Sequence, residues 1–154
     1  MDENEFKAAY ASVNDRPCVF GKALLRRCAD CSRARRLHIA EREAIACQSP
    51  GAQARCARFH DSLQEKSLFA LHLTHADGQL PHGKEMKVEC GGLLGLQGTL
   101  EDGDAVELRV SDIHGLLDRA LAQFQDLTAL PYGEIVKSVV HYSYRRPHST
   151  RRDP

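Results

Sequence analysis

The chain has 154 residues, 42% hydrophobic and 27% charged. That suits one globular domain, or a small cofactor module with a compact tail portion, and is long enough to bury a core without covalent staples. Its 21 basic and 21 acidic residues cancel, so bulk charge points to neither nucleic acid nor an anionic membrane. The acidic start MDENEFKAAY is unlike a secretory signal, and no apolar run approaches the ~20 residues that span a bilayer, so no membrane insertion and a cytoplasmic location are expected.

In chain order, residues 1–17 read as a short helix on Phe6, Ala9, Tyr10 and Val13. Over 20–31, Leu24, Cys28 and Cys31 are spaced four and three apart, which would put them on one side of a helix. Ser32 could cap a second helix over 33–46, with the stripe Leu37, Ala40, Ala44 and Cys47. Ser49-Pro50-Gly51 breaks the chain, and Pro50 suits the first position of a third helix over 52–75, carrying Cys56, Phe59, Leu63, Ala70 and Leu73. A loop follows at 77–83. The stretch from Met86 through Gly91, Gly92, Gly95 and Gly98 then leans to a bulged strand, and 105–110 (AVELRV) reads as another strand. Residues 112–125 carry the clearest helical period, with Ser111 as a fitting N-cap. Residues 133–144 lean to helix, and the basic tail 146–154 is expected to be disordered.

The sequence thus predicts a mainly α protein with a small α+β C-terminal part. A helical cysteine-rich metal-binding module over 1–77 would precede a short sheet with one or two helices over 78–145.

The cysteines carry the strongest chemical signal. Five of six fall in one stretch as Cys18, Cys28, Cys31, Cys47 and Cys56, spaced C-x9-C-x2-C-x15-C-x8-C, with Cys90 apart. In a reducing cytosol such a cluster points to metal ligation or redox thiols more than to structural disulfides. Two residues between thiolates let both sulfurs face one small centre, and Cys28 and Cys31 have that spacing. Cys47 and Cys56 flank the Ser-Pro-Gly break. The candidate ligand set is therefore Cys28, Cys31, Cys47 and Cys56, with Cys18 and His60 as substitutes.

Four thiolates suit zinc or an iron–sulfur cluster. Zinc sites usually offer two tight pairs, whereas the second pair here is eight residues apart, which suits a bulkier cluster. Residues 16–58 hold ten Lys/Arg against three acidic residues, a net +7 that would offset an anionic cluster. A zinc site from Cys28, Cys31, Cys56 and His60 also has acceptable spacings, and His72 and His75 are a further ligand pair. A metal-free thiol switch through a Cys28–Cys31 disulfide, and plain buried cysteines, are the remaining readings.

The run Cys28-Ala-Asp-Cys31, then Glu41-Arg-Glu, Cys47, and Cys56 leading into a basic helix, resembles the small four-cysteine [4Fe-4S] domain that precedes leucine-rich repeat variant proteins of nitrogen-fixing bacteria. The resemblance spans residues 28–60 and implies a [4Fe-4S] cluster on Cys28, Cys31, Cys47 and Cys56, in a setting of nitrogen fixation or anaerobic metabolism.

Other motifs are missing. The glycines after Cys90 lack a following Gly-Lys-Ser/Thr and a GxGxxG unit, and there is no HExxH or nucleophile elbow. The basic stretch could bind nucleic acid, but its only aromatics are Phe20 and Phe59, so this is not favoured. The expected function is electron transfer or redox sensing rather than catalysis. Arg26, Arg27, Arg33, Arg35 and Arg36 would tune the potential and face an acidic redox partner. A zinc-stabilised nucleic-acid or protein adaptor is the alternative.

Overall fold

The computed structural model describes residues 2–71, 80–100 and 108–143. The expected strand at 105–110 therefore falls mostly outside the described residues, as do His72, His75 and the basic tail. Among the described residues the chain is mostly helical, with one small antiparallel sheet. No helix among them is long and apolar enough to cross a membrane.

Helix α1 (Glu3–Val13) starts at a capping box in which Asp2 and Glu5 satisfy each other's backbone N–H groups. It buries no residue of its own. Phe6 lies under the Arg42 guanidinium at 4.3 Å. At its end the buried Asn14 donates from Nδ2 to the Ile45 carbonyl at 3.0 Å.

The expected helix over 20–31 is only α2 (Gly21–Arg26), closed by Arg27 in the left-handed conformation at φ 70. That reversal takes Cys28 and Cys31 off the helix, so they do not share a helical face.

The expected helix over 33–46 is instead a hairpin of β1 (Ala34–Ile39) and β2 (Arg42–Cys47), with Ala34 opposite Cys47 and Ile39 opposite Arg42. The tight turn puts Ala40 at φ 58, a conformation normally given to Gly or Asn. Without those residues the turn left no mark in the sequence.

Helix α3 (Pro50–Ser67) has the expected start. The Ser49 side chain accepts from the Ala52 N–H, and proline stands in the first turn. The glycine-rich stretch is helical rather than a strand: α4 (His82–Met86), one π turn (Lys87–Gly91) and α5 (Gly92–Leu100) run on without a break. Its glycines permit close helix packing. A Cβ on Gly91 would sit 2.7 Å from the Val139 Cα, and one on Gly95 would sit 2.9 Å from the Ser138 Cβ. Both contacts are to α7 (Tyr132–His141), which is helical as expected. Helix α6 (Ile113–Phe124) also matches its period, but Asp112 rather than Ser111 is the N-cap.

One apolar core joins both halves of the chain. Phe20, Leu24, Phe59 and Leu63 pack in the same cluster as Leu93, Leu96, Leu117 and Ile135. Among the described residues the sheet lies in the N-terminal half, and none is found in the C-terminal part where the sequence suggested one.

Candidate metal centre

Cys18, Cys31, Cys47 and Cys56 are free thiols, each half-buried, and all four line a single cavity. The rest of its wall is Val19, Phe20, Ala34, Ala46, Ala52 and Ile113, completed by Arg33, Gln53 and His114.

Each cysteine is placed by a different element. Cys18 lies on a short extended segment laid along β2. Its N–H donates to the Ile45 carbonyl at 3.0 Å, while the Cys47 N–H donates to the Arg16 carbonyl at 2.8 Å. This brings Cys18 beside the last residue of β2, Cys47. Cys31 follows a segment zipped to the C-terminal half: Val110 N–H donates to the Cys28 carbonyl at 3.0 Å, and Ile113 N–H to the Asp30 carbonyl at 2.9 Å. Cys56 lies two turns into α3, on the stripe with Ala52, Phe59 and Leu63 that faces the core.

Two polar clamps hold α3 against the other walls. Gln53 Nε2 donates to the Pro17 carbonyl at 2.7 Å, beside Cys18. The Arg55 guanidinium donates to Asp118 Oδ1 at 2.7 Å and to the His114 carbonyl at 3.0 Å, fixing the first turns of α6.

Backbone amides point at the sulfurs. Phe20 N–H donates to Cys18 Sγ. Arg33 N–H donates to Cys31 Sγ at 3.4 Å, and His114 N–H, at the start of α6, donates to it as well. The Cys47 thiol donates to the Ser49 carbonyl at 3.3 Å.

Burial pushes the Cys18 and Cys56 thiols up to about 12, and neighbouring thiols add to it: Cys56 and Cys31 act on Cys18, and Cys31 and Cys47 act on Cys56. The Cys31 thiol is raised too, chiefly by burial. Burial and neighbouring charge thus disfavour the thiolates of Cys18, Cys31 and Cys56, and an opposing positive charge would be needed to favour them. Among the described residues, no three or more His, Cys, Asp or Glu side chains converge closely enough to hold a single metal ion. The four thiols line one cavity. In kind and number the donors fit a thiolate-bound group of several atoms, whose ligands occupy separate corners.

Of the ligands expected from the sequence, Cys31, Cys47 and Cys56 meet at this cavity and Cys28 does not. Cys28 is bonded to Cys90 in a disulfide, and Cys18 stands in its place. The pairing also differs from a Cys28–Cys31 disulfide. His60 is not part of the cavity wall; its ring packs edge-on against Phe20 at 5.5 Å.

The five arginines separate as well. Arg27 and Arg36 both pair with Glu43, at 3.2 and 3.4 Å, and Arg26 is hydrogen-bonded to Tyr142. Arg33 and Arg35 are exposed, and Arg33 lies on the cavity wall. Sequence reasoning missed His114, Ile113 and Gln53 as parts of the site. Ile113 and His114 carry no spacing signal because they come from α6 and reach the cavity only in the folded chain, whereas Gln53 lies on α3 one turn before Cys56.

No protein-family model, curated protein or solved structure matches the chain.

Proposed function

We propose that the protein is an iron–sulfur protein, with the cluster held by Cys18, Cys31, Cys47 and Cys56, serving electron transfer or redox sensing with a partner protein. The observation that carries this reading is the meeting of four free thiols, from four separate segments, at one apolar cavity. A bound cluster would supply one-electron redox chemistry. The chain's own groups would do the rest. Val19, Phe20 and Ile113 would give the cluster an apolar wall. The amides of Phe20, Arg33 and His114 donate to sulfur, which favours the more negative, reduced state and raises the potential. Arg33 and Arg35 offer positive charge at the surface to an acidic partner, and salt should weaken that association.

Zinc remains the second reading because the donors are thiolates. It is less favoured because Cys47 and Cys56 are separated by eight residues, unlike the tight pairs usual at zinc sites.

The test is anaerobic purification of the full chain, with an ultraviolet–visible spectrum and iron, sulfide and zinc analysis on one sample. A broad band near ~400 nm with matched iron and sulfide is the expected result. Cys18→Ser should lose the band, and Cys28→Ser should keep it. If Cys28→Ser abolishes loading while Cys18→Ser retains it, the ligand set proposed here is wrong. A colourless protein with stoichiometric zinc would overturn the cluster itself.

A further inference from the structure

We infer that the outer edge of β1 is a docking site for an acidic, extended segment of a partner protein, which adds to the hairpin as a further strand. This names the partner of the site proposed above and rests on that reading only for what the docked protein exchanges there.

Backbone direction supports it first. In an antiparallel pair, successive residues turn their N–H and C=O alternately toward and away from the partner strand. The Gln48 N–H donates to the Arg33 carbonyl at 2.8 Å, which sets Arg35, Leu37 and Ile39 toward β2. On β2, Ile45 and Cys47 turn outward and meet residues 16–18: the Cys18 N–H donates to the Ile45 carbonyl at 3.0 Å, and the Cys47 N–H donates to the Arg16 carbonyl at 2.8 Å. Arg36 stands opposite Ile45 and His38 opposite Glu43, so the backbone groups of Arg36 and His38 turn outward on the other side. Among the described residues the sheet has two strands, and none lies beside β1.

Ala34 also turns outward but is already satisfied. Its N–H donates to the Cys31 carbonyl at 3.2 Å, and its carbonyl accepts from Gln48 Nε2 at 3.2 Å. The open edge is therefore Arg36 and His38, and such outward peptide groups are what an added strand pairs with.

Charge selects the occupant. From Ser32 to Ala40 the chain carries Arg33, Arg35, Arg36 and His38 and no acidic residue. Arg36 is held by Glu43 at 3.4 Å, and Arg42, across the turn, by Glu3 at 3.1 Å. The exposed Arg33, Arg35 and His38 are left to meet an incoming chain. A second copy of β1 laid on this edge would set arginine against arginine, which destabilises a strand pair. A strand with Asp or Glu beside these side chains is stabilised instead, and the half-buried Leu37, on the same face as Arg35, offers an apolar contact. Nucleic acid would meet the arginines but has no peptide groups to complete the ladder.

The edge also adjoins the candidate site. Arg33, Ala34 and Cys47 are on the cavity wall, and Ala34 is two residues along β1 from Arg36.

The test uses the purified full chain, with iron measured on the same sample, and a fluorescein-labelled peptide of about ten residues in which Glu alternates with Val and Thr. Fluorescence anisotropy reads binding, and residue-resolved amide hydrogen exchange reads the docked edge. The peptide should bind, and the Arg36 and His38 amides should exchange more slowly in its presence. N-methylating the peptide's amides keeps its charge and should weaken binding on the order of tenfold or more. Arg35→Glu should weaken binding by a similar factor, and so should added salt. His38→Pro removes an outward N–H and should weaken binding while the other hairpin amides keep their protection. No binding, or equal binding of the N-methylated peptide, overturns the inference. Protection of Arg36 and His38 that rises with protein concentration without peptide gives the edge to a second copy, and protection by duplex DNA but not by the peptide gives it to nucleic acid; either overturns the inference. Iron-loaded protein that does not bind the peptide overturns the docking alone. Iron-free protein that binds it and protects these amides supports the docking and overturns the iron–sulfur reading.

Discussion

Glu89 is a carboxyl placed where its charge is costly. Its cause is burial beside the start of α2, a helix with no side-chain cap of its own, which the Glu89 oxygen supplies from across the fold. Burial raises the folded-state value from 4.5 to about 7. Below 4.5 the folded and unfolded chains are both protonated. Between 4.5 and about 7 only the unfolded chain releases its proton, so stability falls as pH rises through that window. The loss should be on the order of 3 kcal/mol. Chemical denaturation from pH 4 to 8 should show that decline, and Glu89→Gln, which keeps an acceptor for Ala23, should flatten it. An unchanged slope in the variant would assign the decline to other groups.

At the scale of elements, two backbone features make separable predictions. Gly91 meets the Val139 Cα and the Ser138 carbonyl, which are backbone and cannot swing aside. Gly91→Ala should therefore destabilise the fold by about 1–3 kcal/mol despite the better helix propensity of alanine. Gly98, in the same helical run, has nothing within 4 Å of a added Cβ, so Gly98→Ala should be neutral or stabilising by up to ~1 kcal/mol. Equal losses in thermal unfolding of both variants would mean that close packing of α5 on α7 is not the cause. In the hairpin, Ala40 adopts φ 58 and bears the steric cost of that region. Ala40→Gly should raise stability by up to ~1 kcal/mol, and a drop in midpoint would remove the strain argument. These two sites are also where sequence reading went astray. The 3-4-3 stripe of Leu37, Ala40, Ala44 and Cys47 is compatible with a helix, and only a left-handed alanine makes it a hairpin. The glycines at 91, 92 and 95 resemble a bulged strand until α7 and Leu63 are seen against them.

Across the whole molecule, the candidate centre depends on both halves of the chain. Cys18, Cys31, Cys47 and Cys56 come from the first sixty residues, but Ile113 and His114 close the wall, and Val110 holds the segment leading to Cys31. A bound cluster would therefore link the hairpin, α3 and α6, and binding energy specific to the folded chain adds to its stability. Removing iron with a chelator should lower the melting temperature of loaded protein by on the order of 5 °C or more. An unchanged midpoint after complete iron loss would show that the cavity is assembled without help from the cluster.

The sequence by itself determined the periodic helices α3, α6 and α7 and the concentration of thiols in a basic N-terminal stretch, because helical period and residue chemistry are local properties. It could also place Cys31, Cys47 and Cys56 in one candidate set. Only the tertiary structure showed that Cys18 lines the cavity and Cys28 does not. Arg27 turns the chain into the left-handed region, which sends Cys28 toward Cys90, 62 residues away, while pairing of residues 16–18 along β2 carries Cys18 to the cavity. Both outcomes depend on contacts between distant segments, and spacing along the chain does not encode which sulfurs such contacts bring together.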